Sequence, residues 1–184
     1  MPPEHDARQL RTCLGHFATG VTVVTCEADG APHGATVNSF TAVSLDPPLV
    51  LVSLHRDSRA ARLLEGRPFT VNVLAEEQAA LARHFAGRAA ATPRWIPSPS
   101  GLAPRLAGAL ATVSCAPWAV HDGGDHLLFL GRVEEFAVHR DGRPLVFYQG
   151  EFQRLGPSPA VFRARPAAEM MDATGNVERG GDRT

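Results

Sequence analysis

Short runs of β-branched and apolar residues, each cut off by turn residues, recur from Val21 to Tyr148. Val21-Thr22-Val23-Val24-Thr25-Cys26 is the first of them, and Asp29-Gly30-Ala31-Pro32 ends it. Runs this short do not make a helical bundle, whereas β-branched side chains suit a pleated, half-buried surface. His33 to Val37 is expected as the hairpin partner, with Thr41 to Ser44 extended beyond it. Asp46-Pro47-Pro48 interrupts the chain, and the nearly continuous apolar run Leu49-Val50-Leu51-Val52-Ser53-Leu54 has the pattern of a strand buried on both faces. Phe69 to Leu74, Leu110 to Ala116, His126 to Val138 and Leu145 to Tyr148 complete the expected strands. Asp141-Gly142 and Gln149-Gly150 are hairpin signals.

Helical periodicity is rarer. Asp6 can cap a first helix carrying Leu10, Cys13, Leu14 and Phe17, with Gly20 as its stop. Asp57 or Ser58 can cap a second, through Leu63 and Leu64 to Gly66, and Glu76 to Phe85 has the spacing of a third. Ala89 to Pro104 reads as a loop holding Trp95. From Pro157 the chain is small, charged and glycine-rich, which predicts a mobile tail over 157–184 behind one domain over 1–156. The balance is mainly β: a barrel with a few flanking helices, not a parallel α/β sheet.

Composition narrows the partners. The 184 residues carry 18 Lys plus Arg against 19 Asp plus Glu, a formal net charge of -1, so nothing points to nucleic acid or an anionic membrane. No apolar run approaches the roughly 18 residues of a membrane span. The first residues, Met1-Pro2-Pro3-Glu4-His5-Asp6, lack the basic and apolar regions of a secretory signal. Cys13, Cys26 and Cys115 are too far apart in sequence for a zinc knuckle and fit reduced thiols, so a cytoplasmic location is expected.

Three polar clusters can carry chemistry. In Gly34-Ala35-Thr36-Val37-Asn38-Ser39-Phe40, small residues allow close backbone approach, and Thr36, Asn38 and Ser39 offer neutral donors suited to a phosphate. A strand end running into a polar turn accounts for the same residues without a ligand. In Ser53 to Arg62, a buried strand leads into a helix start at Ser58 and Arg59, where free N–H groups favour anions; a capped surface helix is the plainer account. In Asp122-Gly123-Gly124-Asp125-His126, a histidine stands at a loop-to-strand junction, where it can hydrogen-bond near neutral pH. Asp125 can fix its tautomer if the two side chains meet, although adjacent strand residues point apart. The spacing of His121, Asp122 and His126 matches no zinc pattern, so no metal is expected. The signatures GxxxxGK[ST], GxSxG and strand–GxGxxG–helix do not occur.

Taken together, Phe17-Ala18-Thr19-Gly20-Val21-Thr22-Val23-Val24-Thr25, His33-Gly34-Ala35-Thr36-Val37-Asn38-Ser39-Phe40 and Val43-Ser44-Leu45-Asp46-Pro47-Pro48-Leu49-Val50 resemble the short-chain flavin reductase family. Phe69 to Leu74, His84-Phe85-Ala86-Gly87, Gly123-Gly124-Asp125-His126 and Pro144 to Gly150 extend the likeness in order over about Leu10 to Leu155. Members are the small reductase components of two-component flavin monooxygenases. The resemblance implies an FMN-binding split barrel, a homodimer with its flavin near the subunit interface, and hydride transfer from NADH or NADPH to FMN or FAD. Reduced flavin would then pass to a partner monooxygenase. By the same resemblance Thr36, Val37, Asn38 and Ser39 would hold the flavin ring edge and ribityl-phosphate region. Ser53 and Leu54 would line the isoalloxazine, Ser58 and Arg59 the phosphate, and Phe85, Ala86 and Gly87 would close over the cofactor. His126 and Tyr148 would sit on the nicotinamide side, His126 as the catalytic candidate. A flavoprotein of the same fold that retains FMN for another redox reaction, or only binds it, is the alternative, and a dimeric binding module without catalysis is the third. The chain departs from the family at Thr92-Pro93-Arg94-Trp95, where a Lys-Phe pair is common, and at Gln149-Gly150-Glu151-Phe152. Both departures fall on the pyridine-nucleotide side.

Overall fold

The computed structural model describes residues 6–88 and 91–157. The tail expected over 157–184 lies outside them except for Pro157. Twelve strands and three α-helices make up the described chain: α1 (Ala7–Leu14), β1 (Thr19–Gly20), β2 (Thr22–Ala28), β3 (Ala31–Val37), β4 (Thr41–Leu45), β5 (Pro48–His55), α2 (Arg59–Leu64), β6 (Phe69–Val73), a 3-10 turn (Glu76–Gln78), α3 (Ala79–Phe85), β7 (Trp95–Ile96), β8 (Arg105–Leu106), β9 (Ala111–Gly123), β10 (His126–Val138), β11 (Leu145–Tyr148) and β12 (Glu151–Arg154).

Seven strands form one antiparallel sheet in the order β3-β2-β6-β9-β10-β5-β4. Its two edge strands, β3 and β4, are joined by residues 38–40 alone. A link that short forces the sheet to curl until its edges approach. Ser39 in this link spans the seam: its hydroxyl donates to the Ser53 carbonyl at 2.7 Å and accepts from the Ser53 N–H at 3.1 Å. The result is the split barrel expected from the resemblance. A second sheet, β1-β11-β12, and the small pair β7-β8 lie outside the barrel.

Apolar side chains fill two compartments. The first joins Val24, Val52, Leu54, Phe69, Val71 and Phe129 with Ala61 and Leu64 of α2. The second joins Val21, Val23, Leu74, Ala82, Leu106 and Leu145, and lies under α3, β8 and β11. Between them runs a buried polar strip. Asn72 donates to the Val23 carbonyl at 2.9 Å, and its side-chain oxygen accepts from the Leu106 N–H at 2.8 Å. The Thr70 hydroxyl donates to the Ala103 carbonyl and lies 2.9 Å from the Ser114 hydroxyl. The strip ties the segment ending in β8 onto the barrel wall, and the Thr70, Asn72 and Ser114 side chains in it each have a partner, as burial requires.

Several expectations are corrected. The strand buried on both faces is β2, because it separates the two compartments. In β5 burial alternates: Val50, Val52 and Leu54 point inward, while Leu49 and Leu51 face outward and are only half-buried. The first helix stops at Gly15, not Gly20, since Thr19 and Gly20 pair with Phe147 and Val146 and are held extended. None of its residues is buried. Asp141-Gly142 is a crossover between sheets, because β10 and β11 do not pair. Gln149-Gly150 is the hairpin turn of β11 and β12, as expected. The strand expected to end at Ala116 continues to Gly123; a register shift at Pro117 absorbs the residue that cannot donate to a ladder. The loop from Ala89 to Pro104 contains β7, which holds Trp95 against Leu106.

Candidate functional site

The barrel seam positions most of the expected site. At the end of β3, Thr36 donates its hydroxyl to the Ala82 carbonyl of α3 at 2.7 Å. That bond fixes α3 over the strand and leaves the Thr36 main chain, not its hydroxyl, for a ligand. Val37 packs on the first core compartment, and its carbonyl accepts from Thr22. Asn38 is exposed. Thr36, Val37 and Asn38 line a cavity of about 190 Å³ with Val21, Ala86, Phe147 and Phe152. Its walls are mostly apolar and its rim carries the Asn38 amide, which suits a flat heteroaromatic ring.

Gly34 explains how α3 comes so close. A Cβ there would lie 2.7 Å from one ring carbon of Phe85 and 3.1 Å from Val23. Phe85 is wedged in turn, with ring centroids 5.0 Å from His84 and 5.7 Å from Trp95. The Phe85-Ala86-Gly87 segment expected to close over a cofactor therefore sits against β3, and Ala86 lines the cavity. Gly87 turns the chain with φ +89°, a conformation that side-chain-bearing residues rarely adopt.

On the other side of β3 a smaller cavity of about 110 Å³ is lined by Gly34, Ala35, Cys26, Leu54, His33 and Arg59, among others. The Leu54 side chain is buried here, in the core, rather than on an open ring face. Ser58 caps α2, its hydroxyl accepting from the Ala61 N–H at 3.1 Å. Arg59 follows at the first helical position, its guanidinium 3.5 Å from His33 Nδ1. Ser39 and Ser53 thus meet at the seam, and Ser58 and Arg59 follow β5 at the start of α2.

His126 starts β10, paired with His55 at the end of β5; their rings meet edge to face with centroids 5.5 Å apart. Its Nδ1 lies 2.6 Å from Asp125 Oδ1. An ionised carboxylate only accepts, so Nδ1 carries the proton and Nε2 keeps a lone pair with which it can accept. The two side chains meet because Gly124 and Asp125 form the turn between β9 and β10, where strand alternation does not apply. The His126 hydrogen bond holds the Asp125 carboxyl below its usual range. Arg56 clamps the turn, donating to Asp122 at 2.7 Å and to the Gly124 carbonyl at 2.7 Å, and that bond lowers the Asp122 pKa in the same way.

Tyr148 is brought elsewhere. It lies in the outer sheet, its ring 6.4 Å from that of His16, whereas His126 lies in the barrel sheet. Phe147, its neighbour on the opposite strand face, is the residue that lines the Asn38 cavity. Sequence reasoning missed Phe147 and Phe152 because β12 was not expected, although the Gln149-Gly150 turn signal required a partner strand after it. Burial pushes the Cys115 thiol up to about 12 and raises that of Cys26, so neither is a nucleophile. Among the described residues no group of three or more His, Cys, Asp or Glu is arranged to hold a metal ion.

The model of the flavin reductase like domain matches residues 14–156. The chain is 44% identical over 160 residues to the reductase subunit HsaB of a flavin-dependent monooxygenase from Rhodococcus jostii (strain RHA1), covering 85% of this chain and 82% of that one. It is 43% identical over 165 residues to the NADH-dependent FMN reductase SmoA of Agrobacterium fabrum, covering 84% and 94%. The solved structure of the NADH:FAD oxidoreductase SgcE6 of Streptomyces globisporus, in complex with NAD and FAD fragments, superposes with a TM-score of 0.77 at 40% identity, covering 83% of this chain and 94% of that one.

Proposed function

The chain belongs to the family of flavin reductase like domains and is an NAD(P)H-dependent flavin reductase; we propose that it reduces FMN or FAD at the barrel seam and supplies the reduced flavin to a partner monooxygenase. The observation that carries this reading is the cleft where the end of β3, the C-terminal end of α3 and the β11–β12 hairpin converge. It offers an apolar slot with one exposed amide at its rim and main-chain groups at the seam, and the described residues around it supply no nucleophile or metal set. Bound flavin supplies the redox chemistry, taking up a hydride from the nicotinamide.

The residues present fit that group. Asn38 orients the ring edge through its amide. Ser39 and Ser53 hold the seam at a fixed width, so that the Thr36–Ser39 main chain faces the ring at a set distance. Ser58 and Arg59 bind the phosphate at the start of α2. Phe85, Ala86 and Gly87 exclude water from the ring. His126, its tautomer fixed by Asp125, positions the nicotinamide carboxamide through Nε2; hydride transfer needs no base, so its task is orientation. Tyr148, on the opposite face of β11 from Phe147, takes no part in this cleft.

We also propose a homodimer with the flavin site near its interface. Leu51 pairs with Leu130 and Leu49 with Arg132 on the outer face of β5 and β10, where a solvated sheet would be polar. Phe136 is 77% exposed and Val138 79%. A two-fold contact that buries such a face is the commonest solution. The free cysteines and the use of a pyridine nucleotide support a cytoplasmic location. The catalytic domain is taken as 1–156, with 157–184 dispensable for flavin binding. The test is to titrate apo-protein with FMN and FAD and to assay NADH and NADPH oxidation with each. NADH consumption that depends on added free flavin is expected. Tight retention of flavin with negligible turnover of free flavin would refute supply to a partner.

A further inference from the structure

Among the described residues, Gln149 makes every hydrogen bond that joins residues 6–17 to the rest of the chain. Its N–H donates to the Gly15 carbonyl at 2.9 Å, and its side-chain Nε2 lies 3.2 Å from His16 Nε2. His16 Nδ1 lies 3.0 Å from the Thr12 carbonyl. A carbonyl only accepts, so Nδ1 carries the proton and Nε2 accepts from the Gln149 amide. The Tyr148 ring stands edge to face against the imidazole, at 83°. Capping of the last carbonyls of α1 accounts for the bond to Thr12. It does not account for the bond to Gln149, whose own backbone is unusual. Gln149 has φ +49°, in the left-handed region, and Gly150 follows at +84°. A two-residue hairpin turn of this kind needs positive φ at both positions, and Asn, Asp or Gly normally takes the first. A glutamine there persists only where surrounding contacts hold it.

We propose that His16 is a positioning residue for the Asn38 cleft, latching the β11–β12 hairpin in place through Gln149. The proposal rests on the reading of that cleft as the flavin-ring site. Phe147 and Phe152 pair directly across the hairpin, with ring centroids 5.9 Å apart, and both line the cleft. Residues paired in this way project to one face, so the two rings shift together when the turn between their strands shifts. β12 pairs with β11 alone, and a two-stranded ribbon is marginal by itself, so its tip needs a second point of attachment. His16 supplies one from the core side. It lies just before Thr19, which pairs with Phe147, and Val21 beyond is buried in the second compartment. The ladder of β1 on β11 and the bond from Gln149 to His16 therefore hold both ends of the same short segment. None of the residues of α1 is buried, so the contact fixes the hairpin turn rather than seating the helix. Tyr148, on the strand face away from the cleft, braces the imidazole and not a ligand.

The test uses the full chain. The FMN dissociation constant is measured by fluorescence titration for the wild type, His16→Ala, His16→Gln, Gln149→Asn and the double variant His16→Ala with Gln149→Asn, with thermal melts to confirm folding. His16→Ala is expected to raise the constant about fivefold, the loss of one hydrogen bond between uncharged groups. His16→Gln presents an amide oxygen that accepts from Gln149, and is expected to return the constant to within about twofold of the wild type. Gln149→Asn separates the latch from the turn. Asparagine suits the left-handed position better than glutamine, but its amide is one methylene too short to reach His16. It should keep or raise Tm and still weaken FMN about fivefold, whereas a residue that only stabilised the turn would leave binding intact or improve it. The double variant should be no worse than either single one, because both remove the same bond. If the wild type binds FMN and neither His16→Ala nor Gln149→Asn weakens it, the latch is overturned. Equal losses in His16→Ala and His16→Gln, or losses that multiply in the double variant, overturn it as well. Should His16→Ala fail to fold, Gln149→Asn decides alone. A wild type that binds no flavin overturns the reading of the cleft itself, and this one with it.

Discussion

Replacing Gly34 by alanine tests whether the contact between β3 and α3 sets the site. The new methyl would sit 2.7 and 2.8 Å from two ring carbons of Phe85 and 3.1 Å from Val23. Separations below about 3.5 Å between carbons are repulsive, so something must move. Val23 is fully buried and β3 is hydrogen-bonded to β2, which leaves Phe85. Its ring is braced by His84 and Trp95, so it moves only by carrying the end of α3 with it. Overpacking of this kind costs about 1–3 kcal/mol. In a domain of this size that lowers Tm by roughly 2–12 °C. The same displacement opens the wall at Ala86, so flavin affinity should fall about tenfold as well. Thermal melts and flavin fluorescence titration read the two effects. The double variant Gly34→Ala with Phe85→Leu removes the clashing ring carbons and should recover part of both losses, a coupling of about 1 kcal/mol in the mutant cycle. An unchanged Tm and flavin affinity in Gly34→Ala would refute the reasoning, and equal losses with and without Phe85 would show that the strain lies elsewhere.

Asn38→Asp should raise the flavin dissociation constant about tenfold or more with little change in Tm, because the side chain is exposed and exchanges a donor for a charge. Equal affinity for flavin in titration would remove Asn38 from the site. His126→Ala should lower kcat/KM for NADH about 10–100-fold in steady-state assays, with a much smaller effect on flavin binding, and chelators should leave activity intact. Asn72→Ala strands the Val23 carbonyl and the Leu106 N–H, each in a buried setting, and should cost roughly 2–4 kcal/mol in denaturant titration. Leu51→Glu, on the outer face of β5, should give a monomer by light scattering while the barrel remains folded by circular dichroism.

How far the sequence reveals this molecule depends on whether the deciding contacts are local. Turn chemistry at Asp29-Gly30 and Gln149-Gly150 and the cap at Ser58 are local, and each is where the residues place it. Asp141-Gly142 carries the same signal and does not form a hairpin, because β10 is already paired on both sides by β9 and β5. The run Leu49 to Leu54 reads as buried twice over, yet one chain covers only its inner face. Apolar periodicity reports that a face is to be covered, not which chain covers it. Of the site, the Thr36–Ser39 and His126 segments are visible as polar clusters beside turns. The Phe147–Phe152 wall is invisible, since it meets Ala86 only through the docking of a three-stranded sheet beside α3.

The polar strip through Thr25, Thr70, Asn72 and Ser114 also acts against misfolding. Strand side chains alternate, so a slip of β6 by a single residue against β2 would exchange the faces of both its polar and its apolar sets. Asn72 and Thr70 would enter the compartment of Val24, Val52 and Phe129, where no partner atoms wait, while Val71 would face the main-chain groups of 103–106. Stranding even one such group costs about 1–3 kcal/mol, and the slip strands several at once. An all-valine wall would tolerate the shifted pairing far better. The hydroxyls and the amide buried in this wall thus act as a lock on strand alignment: the native pairing gives each of them a partner, and a slipped one does not.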